Sequence, residues 1–256
     1  MFLCKKEVEG KNKEMEKYFK IITAVFLMIS AVSCSKNDDV INEPESTFDI
    51  NNPVGYLIYT KGGSTSPESY SHNFTVLFDF LPEGKMLGYS AIPMKDASEY
   101  TFTNANTIDY VYKNWAEFTF TFENSKLINV QATSNASNSS YIFSNYSLIK
   151  KPATNQLAGK TFRGKYLKKD GTVLQDGFYT FLPDGKKVDV GVQFPTKTRT
   201  ETYMNVGNIG ALVNKVSGTT NDHEIMILVD GKLQVNYRDN VSDPTKVYHG
   251  IFEEVK

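Results

Sequence analysis

The side chains that could do chemistry are few and poorly grouped. Three histidines occur, His72, His223 and His249, with no HExxH pattern and no pair at ligand spacing, so a metal centre is not expected. Asp222-His223-Glu224 is the one place where a histidine has a carboxylate on either side. It reads as a turn leading into a strand, Glu224 to Val229, rather than as a proton relay. Serine is plentiful but no G-x-S-x-G elbow appears, and Lys61-Gly62-Gly63-Ser64 lacks the spacing and the following helix of a phosphate loop. No two carboxylates stand out as an acid and base pair for sugar hydrolysis. These features predict a non-enzymatic protein with no cofactor. Aromatic residues are the better candidates for a site. Tyr110-Val111-Tyr112-Lys113-Asn114-Trp115 sets three rings within six residues, the only tryptophan among them. Rings of this kind stack on a sugar, wall an apolar cavity or fill a core, so Tyr110, Tyr112 and Trp115 are the candidate ligand-binding residues.

The elements that must position them are strands. Glu117-Phe-Thr-Phe-Thr-Phe122 alternates strictly, which puts Phe118, Phe120 and Phe122 on one face and Thr119 and Thr121 on the other. Thr75 to Phe80 and Glu224 to Val229 are equally rich in aromatic and β-branched residues. Glu83-Gly84, Asp170-Gly171, Asp184-Gly185 and Asp230-Gly231 fall between such runs, and acid-Gly pairs supply the positive φ that tight hairpins need. Strand-like runs recur about every 10 to 14 residues, seven or eight in each half, with no convincing amphipathic helix. Thr198-Arg-Thr-Glu-Thr-Tyr203 alternates threonine with charge and reads as a solvated strand face.

The two halves are copies. Phe78-Asp-Phe-Leu-Pro-Glu-Gly-Lys85 returns as Tyr179-Thr-Phe-Leu-Pro-Asp-Gly-Lys186, identical at five of eight positions. Phe122-Glu-Asn-Ser-Lys-Leu127 parallels Leu228-Val-Asp-Gly-Lys-Leu233, and Tyr146-Ser-Leu-Ile-Lys150 parallels Phe252-Glu-Glu-Val-Lys256. Collinear matches in three places indicate a tandem duplication. The fold class expected is all-β, two homologous antiparallel units of barrel or sandwich type. Residues 54–150 form the first copy, 151–156 a linker and 157–256 the second. Histidines and clustered acids are not repeated: Glu117 stands opposite His223. The long loop 62–72 is also peculiar to the first copy. What the copies share is therefore scaffold, and function is expected in what they do not share.

Two resemblances extend this reading. Lys17 and Lys20 precede an apolar run, Ile21–Ile29, too short to span a bilayer, and Ala31-Val32-Ser33-Cys34 closes it with small residues before a cysteine. This resembles the lipobox of bacterial lipoproteins, in which the cysteine is acylated and becomes the first residue. It implies a leader over residues 1–33, with Met15 a better start than Met1, lipid on Cys34, and a flexible polar tether over 34–53. Cys4 would be lost with the leader, leaving no thiol for a disulfide or a zinc site. Anchoring to a membrane leaflet follows, most naturally the outer membrane of a Gram-negative cell. Ser35-Lys-Asn-Asp-Asp39 is similar to acidic surface-export tags, and both the periplasmic and the surface face stay open. Leu157-Ala-Gly159-Lys-Thr-Phe162-Arg-Gly164 is similar to the opening strand of lipocalin-like and streptavidin-like barrels, with Phe162 where tryptophan is usual. It implies a barrel with an aromatic plug at one end.

Formal net charge is −1 and basic residues are scattered, so nucleic acid is not an expected partner. The sequence thus points to a lipid-anchored envelope protein that binds a small apolar molecule or a glycan in a β unit. A structural or protein-interaction module of an envelope assembly is the alternative.

Overall fold

The computed structural model describes residues 47–64, 74–91, 97–113, 116–134, 139–217, 220–239 and 246–256. Cys34, the leader and most of the expected tether lie outside these residues. Among the described residues there is no helix, and every regular element is an antiparallel strand.

The first unit is a closed barrel of eight strands: β1 (Tyr56–Ser64), β2 (Phe74–Leu81), β3 (Lys85–Ser90), β4 (Ser98–Asn104), β5 (Thr107–Tyr112), β6 (Ala116–Glu123), β7 (Lys126–Ser134) and β8 (Ser139–Lys150). Each pairs with the next, and β1 closes the ring on β8 from Tyr56 opposite Lys150 to Ser64 opposite Tyr141. The alternation in β6 works as expected: Phe118, Phe120 and Phe122 are buried, while Thr119 and Thr121 are only partly covered. Inside, Phe78 meets Phe118 at 4.7 Å and Phe120 at 5.0 Å between ring centroids. An eight-stranded barrel is just wide enough for its own side chains to fill it, and here the filling is aromatic. Phe48 was expected to lie in the flexible tether. Instead it is buried at one end of the barrel, stacked 4.9 Å from Phe122 and edge-on to Tyr56, because a large ring next to an apolar opening gains more by burial than it loses in freedom.

The second unit repeats the meander: β9 (Thr161–Leu167), β10 (Val173–Phe181), β11 (Lys187–Gly191), β12 (Arg199–Thr202), β13 (Met204–Val206), β14 (Gly210–Ser217), β15 (Thr220–Val229), β16 (Lys232–Arg238) and β17 (Val247–Glu254). β17 pairs with β9 as β8 pairs with β1. Between β12 and β13 no ladder forms, so this nine-stranded sheet curls into a barrel with one open seam. Phe162 is fully buried at 6.1 Å from Phe181, among the apolar side chains of the unit's interior. Asp230 and Gly231 hold φ of 50° and 73° in the two-residue β15–β16 turn, and Asn124 and Ser125, at 48° and 63°, do the same work in the first copy.

The units pack through outer sheet faces. Leu57, Tyr59, Leu77 and Ala91 from the first meet Val206, Leu212, Ile225 and Ile227 from the second in one apolar cluster. Leu57 lies so close to Gly207 that a Cβ there would fall 2.6 Å from its Cδ2, and Gly207 also holds φ of 58°. The linker is fastened on both sides. Lys151 Nζ donates to Asp79 Oδ1 at 2.6 Å, and Asn208 Nδ2 donates to the Pro152 carbonyl at 2.9 Å.

Candidate functional site

Trp115 and His72 lie outside the described residues. Tyr110 and Tyr112 share the inner face of β5, as their spacing requires, and that face is the packed interior of the first barrel. The Tyr110 ring sits 5.9 Å from Phe78 and 6.2 Å from Phe118, and burial pushes its hydroxyl up to about 12. Both tyrosines therefore act as core residues, and the polar chemistry of the molecule lies elsewhere.

It lies inside the second unit, beside the open seam. Alternation turns Arg199 and Glu201 of β12 inward, in phase with the buried Val190 and Val188 opposite them in β11. Arg199 Nη2 donates to Glu224 Oε1 of β15, and its Nη1 donates to Glu201 Oε1 at 3.2 Å. Lys215 of β14 approaches the same Glu201 oxygen at 3.8 Å. The seam that lacks a backbone ladder is thus crossed by a chain of opposite charges. The Glu224 side chain is 1% exposed, Glu201 16%, Arg199 23% and Lys215 39%, so the chain runs from the interior to solvent.

Tyrosines surround its buried end. The hydroxyls of Tyr166 and Tyr179 share a hydrogen bond, and the Tyr166 ring packs 6.1 Å from Tyr237 and 5.3 Å from Phe252. Tyr166 fits because residue 177 is glycine: a Cβ there would fall 2.5 Å from its ring. The Arg199 guanidinium stands 6.0 Å over Tyr237, and Tyr237 lies 5.9 Å from the half-buried ring of Tyr248. Burial raises the Glu224 carboxyl above its ordinary value, opposed by the charge and hydrogen bond of Arg199. Burial and then the Glu224 charge hold the Tyr166 and Tyr179 hydroxyls well above the usual phenol range. Tyr237 is raised by burial and then by Asp222, Asp239 and Glu224. A buried ion pair ringed by hydrogen-bonding tyrosines is weak evidence for stability and better evidence for a site.

The first copy has no counterpart. Carried along the hairpin match, Glu224 stands where Phe118 stands and Asp222 where Ala116 stands, and Phe118 and Ala116 belong to an aromatic and aliphatic cluster. The Thr198–Tyr203 stretch was expected to be a solvated face. The structure reverses this for Arg199 and Glu201, since threonines 200 and 202 are the exposed ones. Their phase with Tyr203, which is buried, was the available signal. Asp222-His223-Glu224 is likewise not a turn, because β15 already begins at Thr220. Alternation then sends Glu224 inward and His223, hydrogen-bonded to Asn214 Oδ1, outward. Among the described residues no group of three His, Cys, Asp or Glu is placed to hold a metal ion.

His249, on β17 in register with Asn236, is influenced by Lys61 of the first unit. Burial and then the Lys61 charge hold its imidazole below the ordinary value. The unfolded chain therefore takes up this proton first. His249's contribution is complete above about pH 6.5 and is lost as pH falls through the folded value. Urea stability is expected to decline between about pH 7 and 5, and to decline less in His249→Gln. An identical slope in the variant would assign the acid sensitivity to other groups.

No family model matches the chain, and no curated protein matches it. Among solved structures it is similar to a protein of unknown function from the DUF3598 family of Nostoc punctiforme, at 12% identity over 83% of this chain and 99% of that one, with a TM-score of 0.27. That likeness is too slight to carry a functional reading.

Proposed function

We propose that this protein is a non-enzymatic lipoprotein of the Gram-negative cell envelope, held by lipid on Cys34, whose second β unit binds a small molecule. The first unit is scaffold: its interior is filled by its own rings. One observation carries the proposal. After duplication, positions that are Phe118 and Ala116 in one copy are Glu224 and Asp222 in the other, where Arg199 and Glu201 join them next to an open seam. Buried charge in a barrel costs stability, so its retention calls for a reason, and ligand recognition supplies one. The motif at Ala31–Cys34 supports the anchor, since two or more acyl chains hold a protein on a leaflet without a spanning segment.

The experiment is native mass spectrometry of the full lipidated chain, gently extracted in a non-ionic detergent. An added mass that vanishes on denaturation is expected, and its value gives the ligand class. A clean apo mass, with no thermal shift in a metabolite panel, would sink the binding reading. A Cys34→Ala variant should leave the membrane fraction and lose acyl label. The second reading, an interaction module, is favoured by Phe102, Val111 and Ile142, which are 47%, 45% and 64% exposed on the first unit.

A further inference from the structure

We infer that the mouth of the second unit takes a neutral saccharide ring, an inference that rests on the binding reading and narrows it. Lys215, Glu201, Arg199 and Glu224 form an unbroken chain of alternating charge in which every member is paired. A charged ligand would have to take one member from its partner and leave the other unpaired at a partly or fully buried position. A purely apolar ligand would cover Arg199, Glu201 and Lys215 without returning the hydrogen bonds they make to water. A hydroxyl group avoids both penalties, because it donates and accepts at once and can bridge a carboxylate and a guanidinium without separating them. Arg199 retains capacity for this: the guanidinium carries five N–H donors, and its ion pairs use Nη1 and Nη2 once each.

The rings complete the argument. Arg199 occupies one side of Tyr237 at 6.0 Å, whereas Tyr248, 5.9 Å further on, is only half-buried. A phenol face beside hydroxyl-binding charges suits a sugar, whose ring is apolar on its C–H faces and polar at its edge. The first copy, with Phe118 and Ala116 at the equivalent positions, has no such edge.

The test is saturation-transfer NMR on the full lipidated chain in a polyoxyethylene detergent, which carries no sugar headgroup. Probes are neutral disaccharides of gluco, galacto and manno configuration, a uronic-acid disaccharide, and palmitate. At least one neutral disaccharide is expected to receive saturation on its ring protons. Tyr248→Ala should weaken its binding at least tenfold, Tyr248→Phe less than threefold, and Glu123→Ala in the first unit not at all. The Phe variant keeps the test sound if the Ala variant unfolds. Binding of the uronate or palmitate alone would overturn the saccharide inference and leave the binding reading standing. Silence from all probes beside a ligand mass in native spectrometry would do the same, and silence in both experiments overturns both.

Discussion

Arg199→Met is expected to lower stability by about 3–5 kcal/mol at neutral pH, because it leaves the Glu224 carboxylate unpaired at a position 1% exposed. The loss should shrink as the solution is acidified. Burial already raises the Glu224 carboxyl, and without Arg199 nothing of comparable size opposes that. A folded-state value above the unfolded one means that stability is full below about pH 4.5 and drains away as pH rises through the folded value. Urea midpoints for the variant and the wild type at pH 7.5 and pH 5 should therefore converge on the acid side. Arg199→Met/Glu224→Leu should recover most of the loss at both pH values, since an apolar pair in place of a buried ion pair is often neutral or better. If the double variant is as unstable as the single one, the pair is a structural tie across the seam and the site argument weakens.

Ile225→Asp is expected to separate the unfolding of the two β units. In the wild type, eight side chains from both units are buried in one cluster, and each fully buried aliphatic or aromatic residue contributes about 1.5–3 kcal/mol. Coupling on that scale predicts a single calorimetric transition. Ile225 is fully buried in the cluster, with Ile227 beside it on the same face of β15. A carboxylate there, with apolar neighbours, should cost about 4 kcal/mol or more and open the face without touching either interior. Two transitions should follow. A single transition merely shifted downward would mean that the units hold together through the linker contacts at Asp79 and Asn208 instead.

Much of the fold was legible because two-residue periodicity and repetition are local properties. Phe118, Phe120 and Phe122 announce an inward face by spacing alone, and the Leu-Pro-acid-Gly-Lys repeat announces a second unit with similar hairpins. The closure of the first barrel and the gap in the second were not legible, since both depend on pairings such as β1 with β8. The site was hidden for a different reason. Charges flanked by threonine normally face water, and Arg199 and Glu201 do so only if they have no inward partner. Their partner, Glu224, sits 23 or more residues away on a strand that the sequence alone started too late. Tyr110 and Tyr112 lie in the packed interior, which their clustering could not foretell, because a cluster of rings does not distinguish a platform from a core and an eight-stranded barrel needs large side chains to fill it.

The open seam has a bearing on how this protein avoids its own kind. A closed ring of strands offers neighbours no free backbone, but β12 and β13 each end a sheet and so present unpaired N–H and C=O groups. Exposed edges of this kind recruit one another when chains meet at high local concentration. Here the edges are four and three residues long, and inward-pointing charges lie along the first of them. Tyr203 bends the chain between them and is tied to Asn155 by a 3.0 Å hydrogen bond. Short, charged and bent edges are poor templates for a partner's strand, so the residues that flank the gap in the barrel also guard its two exposed edges.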